Sequence, residues 1–528
     1  MSQWILHTWV VLSLALMGGC RTTSSSSTVK LEEGAQAPAV WTSEGGNVQL
    51  NGKVFHIKGA NWFGLETGGA NLLGLSKRSM SSLLDWLEQE QFNALRIPLS
   101  VQWALDFNHV PADQAFTDAD ADLRGKPWIT VLDKLITEAG KRGIVIMLDM
   151  HTIGAGDNLS TKRWYSDRYS VCDFREAWQK VLNRFGNHWN IFALDLKNEL
   201  HDVDWGNSDL LGSPDIVCRD AYGPHAAPAG LKPTDWRQEV ESLVPELDVP
   251  RTDAAGQNFQ YQGLFLVQGM HHGKVGPLSF PYDIKRPFGF WFGGNLEGLR
   301  HYPLRLPESV SRRIAYTVHV YGPSVYAQPY FDQLDGYRHP ENLDVVYESQ
   351  NGFIEPLTGR AVILGEWGGI NAVLDGRDDP SKKGKDDGAI LGAMAKWFPE
   401  HCMADAFWWA INPESTDTGG LLEDDYQRPL GHKLDRARTM MPNPTKVGMG
   451  SDGQITFKDP GAFNAQCLEL QAHPRPVDRH EQCLQINKDG VTCEDLRFTE
   501  GQELCSWGQK WQCHEGCAVW KGTCSTQK

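Results

Sequence analysis

The sequence predicts an α/β protein, a (β/α)8 barrel followed by a small Cys-rich module held by disulfides. Three observations lead there. Short apolar runs alternate with amphipathic stretches through the middle of the chain, nearly every run ends in polar or aromatic residues, and seven of the eleven Cys lie from Cys467 onward. Apolar strands alternating with helical patterns mark parallel βα units.

Eight runs qualify as strands: Val54–Asn61, Asn93–Pro98, Ile144–Met150, Ile191–Lys197, Leu264–Gln268, Ile314–Tyr321, Ala361–Leu364 and Ala406–Ala410. Helical stretches such as Ser79–Gln91 and Trp128–Arg142 separate several of them. A doubly wound sheet would alternate in the same way, but it gives no reason for the run ends. These carry Asn61-Trp62, Arg96, Asp149 with His151, Asn198-Glu199, Gln268, His319 with Tyr321, Glu366, and Trp408-Trp409. In a barrel the C-terminal strand ends converge on one rim, and that rim holds the active site. Packing alone would favour apolar ends. The connection Leu200–Gln262 is long, and long loops on such a rim shape the groove.

The 528 residues suffice for one large and one small domain. A net charge of −16 argues against binding to a phosphate backbone, which needs clustered Lys and Arg, so no nucleic-acid partner is expected. Twenty Trp are many for this length. Their rings stack on sugar faces, although filling a barrel core accounts for most of them.

Residues 1–20 read as a targeting segment. The apolar run Val10–Met17 is too short to span a bilayer, and with Gly18, Gly19 and Cys20 it resembles a bacterial lipobox. That resemblance implies lipidation of Cys20, export, and anchoring at the outer membrane or cell surface. It departs from the pattern in Met17 and in the absence of Lys or Arg from the first nine residues. Simple cleavage near Gly19, giving an extracellular protein, is the alternative. Residues 21–45 read as a Ser/Thr-rich tether, 46–445 as the barrel and 446–528 as the tail module.

Without Cys20, ten Cys remain. Cys172 and Cys218 follow the third and fourth strands and are candidates to pair. Cys402 then pairs with Cys467, leaving six in the tail whose connectivity stays open. Zinc is the competing reading of the tail, but the Cys spacing is loose and export favours disulfides. The tail either binds polysaccharide through Trp507, Trp511 or Trp520, or is a structural cap.

Hydrolysis of a glycosidic bond needs two carboxyl groups, one to protonate the leaving oxygen and one to attack the anomeric carbon. Glu199 in ALDLKNELHD and Glu366 in AVILGEWGG end the fourth and seventh strands. A barrel brings such ends within the roughly 5–5.5 Å that a retaining mechanism requires. Arg96 and Tyr321 are placed to hydrogen-bond the attacking carboxylate, and Asn198 to hold the sugar 2-hydroxyl.

RIP, LDMH, KNE, HVY, LGEW and FWWAINPES occur in this order at the strand ends. In that order they resemble glycoside hydrolase family 5, and GANWFGLET, WFGGNLEGLRHYP and NPESTDTGGLLEDDY resemble its bacterial endo-β-1,4-glucanases. The resemblance spans Gly46 to Pro442. It implies retaining hydrolysis of β-1,4-glucan without metal or organic cofactor; a monomer is expected. It implies Glu199 as acid/base, with Asn198 beside it, and Glu366 as nucleophile supported by Arg96 and Tyr321. His151 and His319 would line the cleft, Trp409 would floor it, and Trp62 and Trp291 would be platforms at neighbouring subsites. Leu200 stands where the family has Pro. A β-mannanase, xyloglucanase or exo-β-glucosidase shares this chemistry, and a non-catalytic carbohydrate-binding barrel is the rival from another class.

Overall fold

The computed structural model describes residues 39–157, 162–207, 218, 233–271, 273–275, 278–279, 290–332, 342, 346–370 and 387–459. It also describes the backbone of 503–506, 509–514 and 517–523. Eight parallel strands form a closed barrel: β1 (Lys58–Asn61), β2 (Ala94–Ser100), β3 (Val145–Thr152), β4 (Ile191–Asp195), β5 (Leu264–Gln268), β6 (Ile314–Tyr321), β7 (Val362–Gly368) and β8 (Ala406–Trp408). Each pairs with its sequence neighbour, and β8 closes on β1 through Phe407 opposite Gly59. A Cβ at Gly59 would lie 2.2 Å from the Phe407 ring, so this approach requires glycine. The strands are buried almost throughout, because helices cover the outer face and side chains fill the inner one.

The covering helices include α1 (Met80–Gln89), α2 (Trp128–Lys141), α3 (Val171–Phe185), α4 (Trp236–Leu247), α5 (Asp387–Glu400) and α6 (Gly431–Met440). Ser79 caps α1 by accepting from the Ser82 amide. A reciprocal Ser170–Asp173 box starts α3, satisfying amides that the first turn leaves orphaned. Helix α4 lies inside the long Leu200–Gln262 connection, so part of that connection is a regular barrel helix.

The expected eight strands are all present, with differences at the edges. Val54 belongs to a short hairpin strand, Lys53–Val54, so β1 starts only at Lys58. The tether does not extend to residue 45. Trp41–Glu44 and Asn47–Leu50 form an antiparallel pair joined by Gly45-Gly46, both at positive φ. Trp41, Val48 and Leu50 are buried against the barrel floor. At the other end, the hairpin of Lys446–Met449 with Ile455–Asp459 also closes that floor, with Val447 in the same apolar cluster. The sequence reading places this hairpin in the tail; its apolar face makes it part of the barrel's packing. In the tail, Glu503–Ser506, Gln509–His514 and Cys517–Thr523 form a three-stranded antiparallel sheet.

Cys172 and Cys218 form a disulfide, as expected. Cys402 is disulfide-bonded; Cys467, its expected partner, lies outside the described residues, as do Cys20, Trp507 and the rest of residues 1–38. Among the described residues nine Trp are fully buried, so the core accounts for much of the Trp content. Among the described residues no helix is long and apolar enough to cross a membrane.

Candidate active site

Arg96, on β2, occupies the centre of the barrel below the rim and is fully buried. Its Nη1 donates to Glu366 Oε1 at 2.6 Å and to Asn61 Oδ1 at 3.1 Å. Nε and Nη2 donate to Asp195 Oδ2 at 3.0 and 2.8 Å, and Nη2 also reaches Asn198 Oδ1 at 2.8 Å and Asp149 Oδ2 at 3.1 Å. Three carboxylates around one guanidinium hold it charged, against the cost of burial. Burial pushes the Asp149 carboxyl up to about 6 even so.

Above this layer stand the two Glu. An oxygen of Glu199, an oxygen of Glu366 and a nitrogen of His319 all lie within 4.8 Å of one another. That spacing would also admit a cation, but the Arg96 guanidinium already supplies positive charge at Glu366. His319 Nδ1 is 2.9 Å from Glu199 Oε1 and 3.5 Å from Glu366 Oε2. Tyr321 donates its hydroxyl to Glu366 Oε2. Burial and the adjacent carboxylate push the phenol well above its ordinary range, so it stays a donor.

The two carboxyls have unlike surroundings. Glu366 accepts from Arg96 and Tyr321. Glu199 has no cationic hydrogen-bond partner among the described residues, and burial pushes it up to about 8. The backbone of Glu199 has φ +47°, with its N–H held by Gln268 Oε1 at 2.7 Å. Leu200, at the position where the family has Pro, is buried and accepts from Gly293 N.

His151 Nδ1 lies 2.6 Å from Asp149 Oδ2, and its Nε2 lies 3.3 Å from Asn198 Nδ2. Asn198 Oδ1 is taken by Arg96, so Nδ2 donates to His151, whose proton is therefore on Nδ1. Burial pulls His151 down to about 3 and His319 to about 4, leaving both rings neutral.

The rim opens into a cleft of about 1130 Å³ lined from every strand end except that of β2. It exceeds the roughly 300–1,000 Å³ of small-molecule sites, which suits an extended ligand. Glu199, Glu366, His151, Tyr321, Trp291 and Trp409 all line it. Trp409 is half-buried, its ring parallel to Phe63 and His151 at 5.5 and 5.4 Å, and its indole N–H donates to Ser415.

Two expected positions differ. Trp62 is fully buried, with its indole N–H on the Leu73 carbonyl, and it does not reach the cleft. Phe63 takes that place. Successive side chains leaving β1 point to opposite sides, so only one of the pair can face the cleft. His319 is also fully buried and sits beneath the carboxylates rather than on the cleft wall. Sequence reasoning missed Phe63, Asp195 and Glu66, a buried cleft residue pushed up to about 7. Asp195 had a legible signal: LDM in β3 and LDL around the end of β4 each place a charge in an apolar strand.

Residues 48–415 match the family described as cellulase (glycosyl hydrolase family 5). An endoglucanase of Paenibacillus polymyxa is 33% identical over 74% of this chain and 84% of its own length. The major extracellular endoglucanase of Xanthomonas campestris pv. campestris is 30% identical over 74% of this chain and 69% of its own. Among solved structures, a cellotetraose complex of an endocellulase from Pyrococcus horikoshii superposes with TM-score 0.60 at 28% identity. It covers 77% of this chain and 99% of that one. The chain belongs to glycosyl hydrolase family 5, the cellulase family.

Proposed function

We propose that this protein is an endo-β-1,4-glucanase that hydrolyses cellulose-type glucan with retention of anomeric configuration. The observation that carries this reading is the pair Glu199 and Glu366, with oxygens within 4.8 Å and unlike environments. Inverting enzymes hold their carboxyls about 6.5–9.5 Å apart to admit a water, so the short separation favours a covalent intermediate. The endoglucanase relatives and the cellotetraose bound in a structural neighbour support β-glucan as the substrate.

In the first step Glu366 attacks the anomeric carbon while Glu199 gives its proton to the departing glycosidic oxygen. Arg96 and Tyr321 keep Glu366 ionised and aim it. Asn198 retains one N–H without a protein partner among the described residues, suited to the sugar 2-hydroxyl. In the second step Glu199, now a carboxylate, takes a proton from water as the water displaces Glu366. Trp409 and Phe63 offer apolar faces to the sugar. Release of reducing ends from carboxymethylcellulose by the wild type, and not by Glu366→Gln, tests this. Binding without release by the wild type would favour a non-catalytic carbohydrate-binding protein.

The chain is further read as an exported lipoprotein anchored through Cys20, on the support of its N-terminal sequence pattern. Incorporation of labelled palmitate that is lost in Cys20→Ala tests that reading.

A further inference from the structure

Gln268, the last residue of β5, is fully buried and does not line the cleft. Its carboxamide is nevertheless surrounded by the groups that matter. Oε1 accepts the backbone N–H of Glu199 at 2.7 Å. Nε2 donates to Asp195 Oδ1 and Oδ2 at 3.1 and 3.0 Å, and it faces His319 Nε2 at 3.4 Å. Gly293, at φ +67°, closes over the amide: a Cβ there would lie 2.2 Å from Oε1. The orientation of the amide is fixed by its partners. A backbone N–H can meet only the oxygen, and a carboxylate can meet only the NH2 group.

One consequence follows for His319. Gln268 Nε2 is purely a donor, so His319 Nε2 must accept, and the ring proton is on Nδ1. That proton points at Glu199 Oε1, 2.9 Å away. Glu199 Oε2 has no protein partner among the described residues and belongs to a carboxyl that lines the cleft. With Oε1 committed as an acceptor, the carboxyl proton goes to Oε2.

We propose that Gln268 is a positioning residue for the acid/base: it holds His319 as the Nδ1–H tautomer and thereby directs the catalytic proton to Oε2 of Glu199, facing the glycosidic oxygen. The inference rests on Glu199 being the acid/base. It adds a residue that touches no substrate and acts through His319 and the Glu199 backbone. Without the Gln268 donor, His319 is free to adopt the Nε2–H form. Its bare Nδ1 would then accept the Glu199 proton and turn it away from the leaving group.

The test compares kcat/KM on cellotetraose, whose sugar leaving group needs protonation, with kcat/KM on dinitrophenyl β-cellobioside, whose leaving group does not. Gln268→Met removes both halves of the amide. Gln268→Glu keeps an acceptor for the Glu199 N–H but removes the donor to His319. Both variants should lose about 100-fold on cellotetraose, the scale of general acid catalysis, and at least about tenfold less than that on the activated substrate. Glu199→Gln should show the same split. Nitrogen NMR of the wild type, with His319 assigned through His319→Asn, should show a protonated Nδ1 and a bare Nε2. Equal losses on both substrates, full activity in Gln268→Glu, or a protonated Nε2 would each overturn the proposal. If Glu199→Gln lost equally on both substrates, the acid/base reading itself would fail. The His319 tautomer would still report on Gln268 independently.

Discussion

Asp149 on β3 and Asp195 on β4 are register partners in the barrel, and both close on the Arg96 guanidinium at 3.1 and 2.8 Å. Two paired strands thus deliver two buried negative charges to one cation, which holds Glu366 with its third face. Replacing the cation leaves three carboxylates without it. Arg96→Met should destabilise the protein by about 3–5 kcal/mol, the cost of breaking a buried ion pair from one side. The loss should shrink toward pH 5, where protonation of Asp149 relieves the excess charge. Thermal unfolding at two pH values checks this, and an unchanged Tm would contradict it.

The raised Glu199 carboxyl has a pH signature in stability and in rate. Its ordinary value is 4.5, and burial pushes it up to about 8. Between those values the folded state binds the proton that the unfolded chain has released, so stability falls as pH rises through this window. The contribution is complete below 4.5 and gone above about 8. In kcat/KM on cellotetraose, the alkaline limb should fall near pH 8 as the acid loses its proton. On dinitrophenyl β-cellobioside, whose leaving group needs no proton, that limb should be absent, and Glu199→Gln should remove it on cellotetraose.

Adjacent aromatic residues should separate stability from binding. Trp62→Ala empties a buried site and should cost about 3–5 kcal/mol in denaturant unfolding. Its KM for cellotetraose should stay near wild type. Phe63→Ala should do the reverse, raising KM about tenfold through loss of roughly 1.5 kcal/mol of apolar contact. If Trp62→Ala raised KM at unchanged stability, the assignment of Trp62 to the core would be wrong.

The Cys172–Cys218 bridge spans 46 residues and ties the β4–β5 connection to the start of α3. Loop-closure entropy for that length predicts a loss of about 4 kcal/mol in Cys172→Ser/Cys218→Ser. Equilibrium unfolding of the double variant, with and without reductant, measures it. Reductant should lower the Tm of the wild type more than that of the variant.

Strand positions and the residues at their ends were legible because a closed parallel barrel imposes both an apolar interior and a functional rim. Glu199 lies just beyond β4, Tyr321 ends β6 and Glu366 lies near the end of β7, while Arg96, inside β2, reaches them from below the rim. What the sequence concealed was direction. Trp62 and Phe63 are equally plausible platforms until the path after β1 decides which ring faces the cleft. The proton on His319 follows from the Gln268 amide, a contact between residues 51 positions apart. The strand Trp41–Glu44 and the hairpin Lys446–Asp459 fall in the sequence's tether and tail because short amphipathic strands outside the βα rhythm carry no signal of what they cover.

The central claim is that Glu366 forms the covalent bond to the sugar. A 2-fluoro cellobioside with a dinitrophenolate leaving group slows both steps and accumulates the intermediate. Mass spectrometry of the digested protein should find one fluorocellobiosyl group, on the peptide containing AVILGEWGG, at Glu366, and none in Glu366→Gln. A label on any other residue, or turnover that gives the inverted α-anomer with no label, would contradict the account.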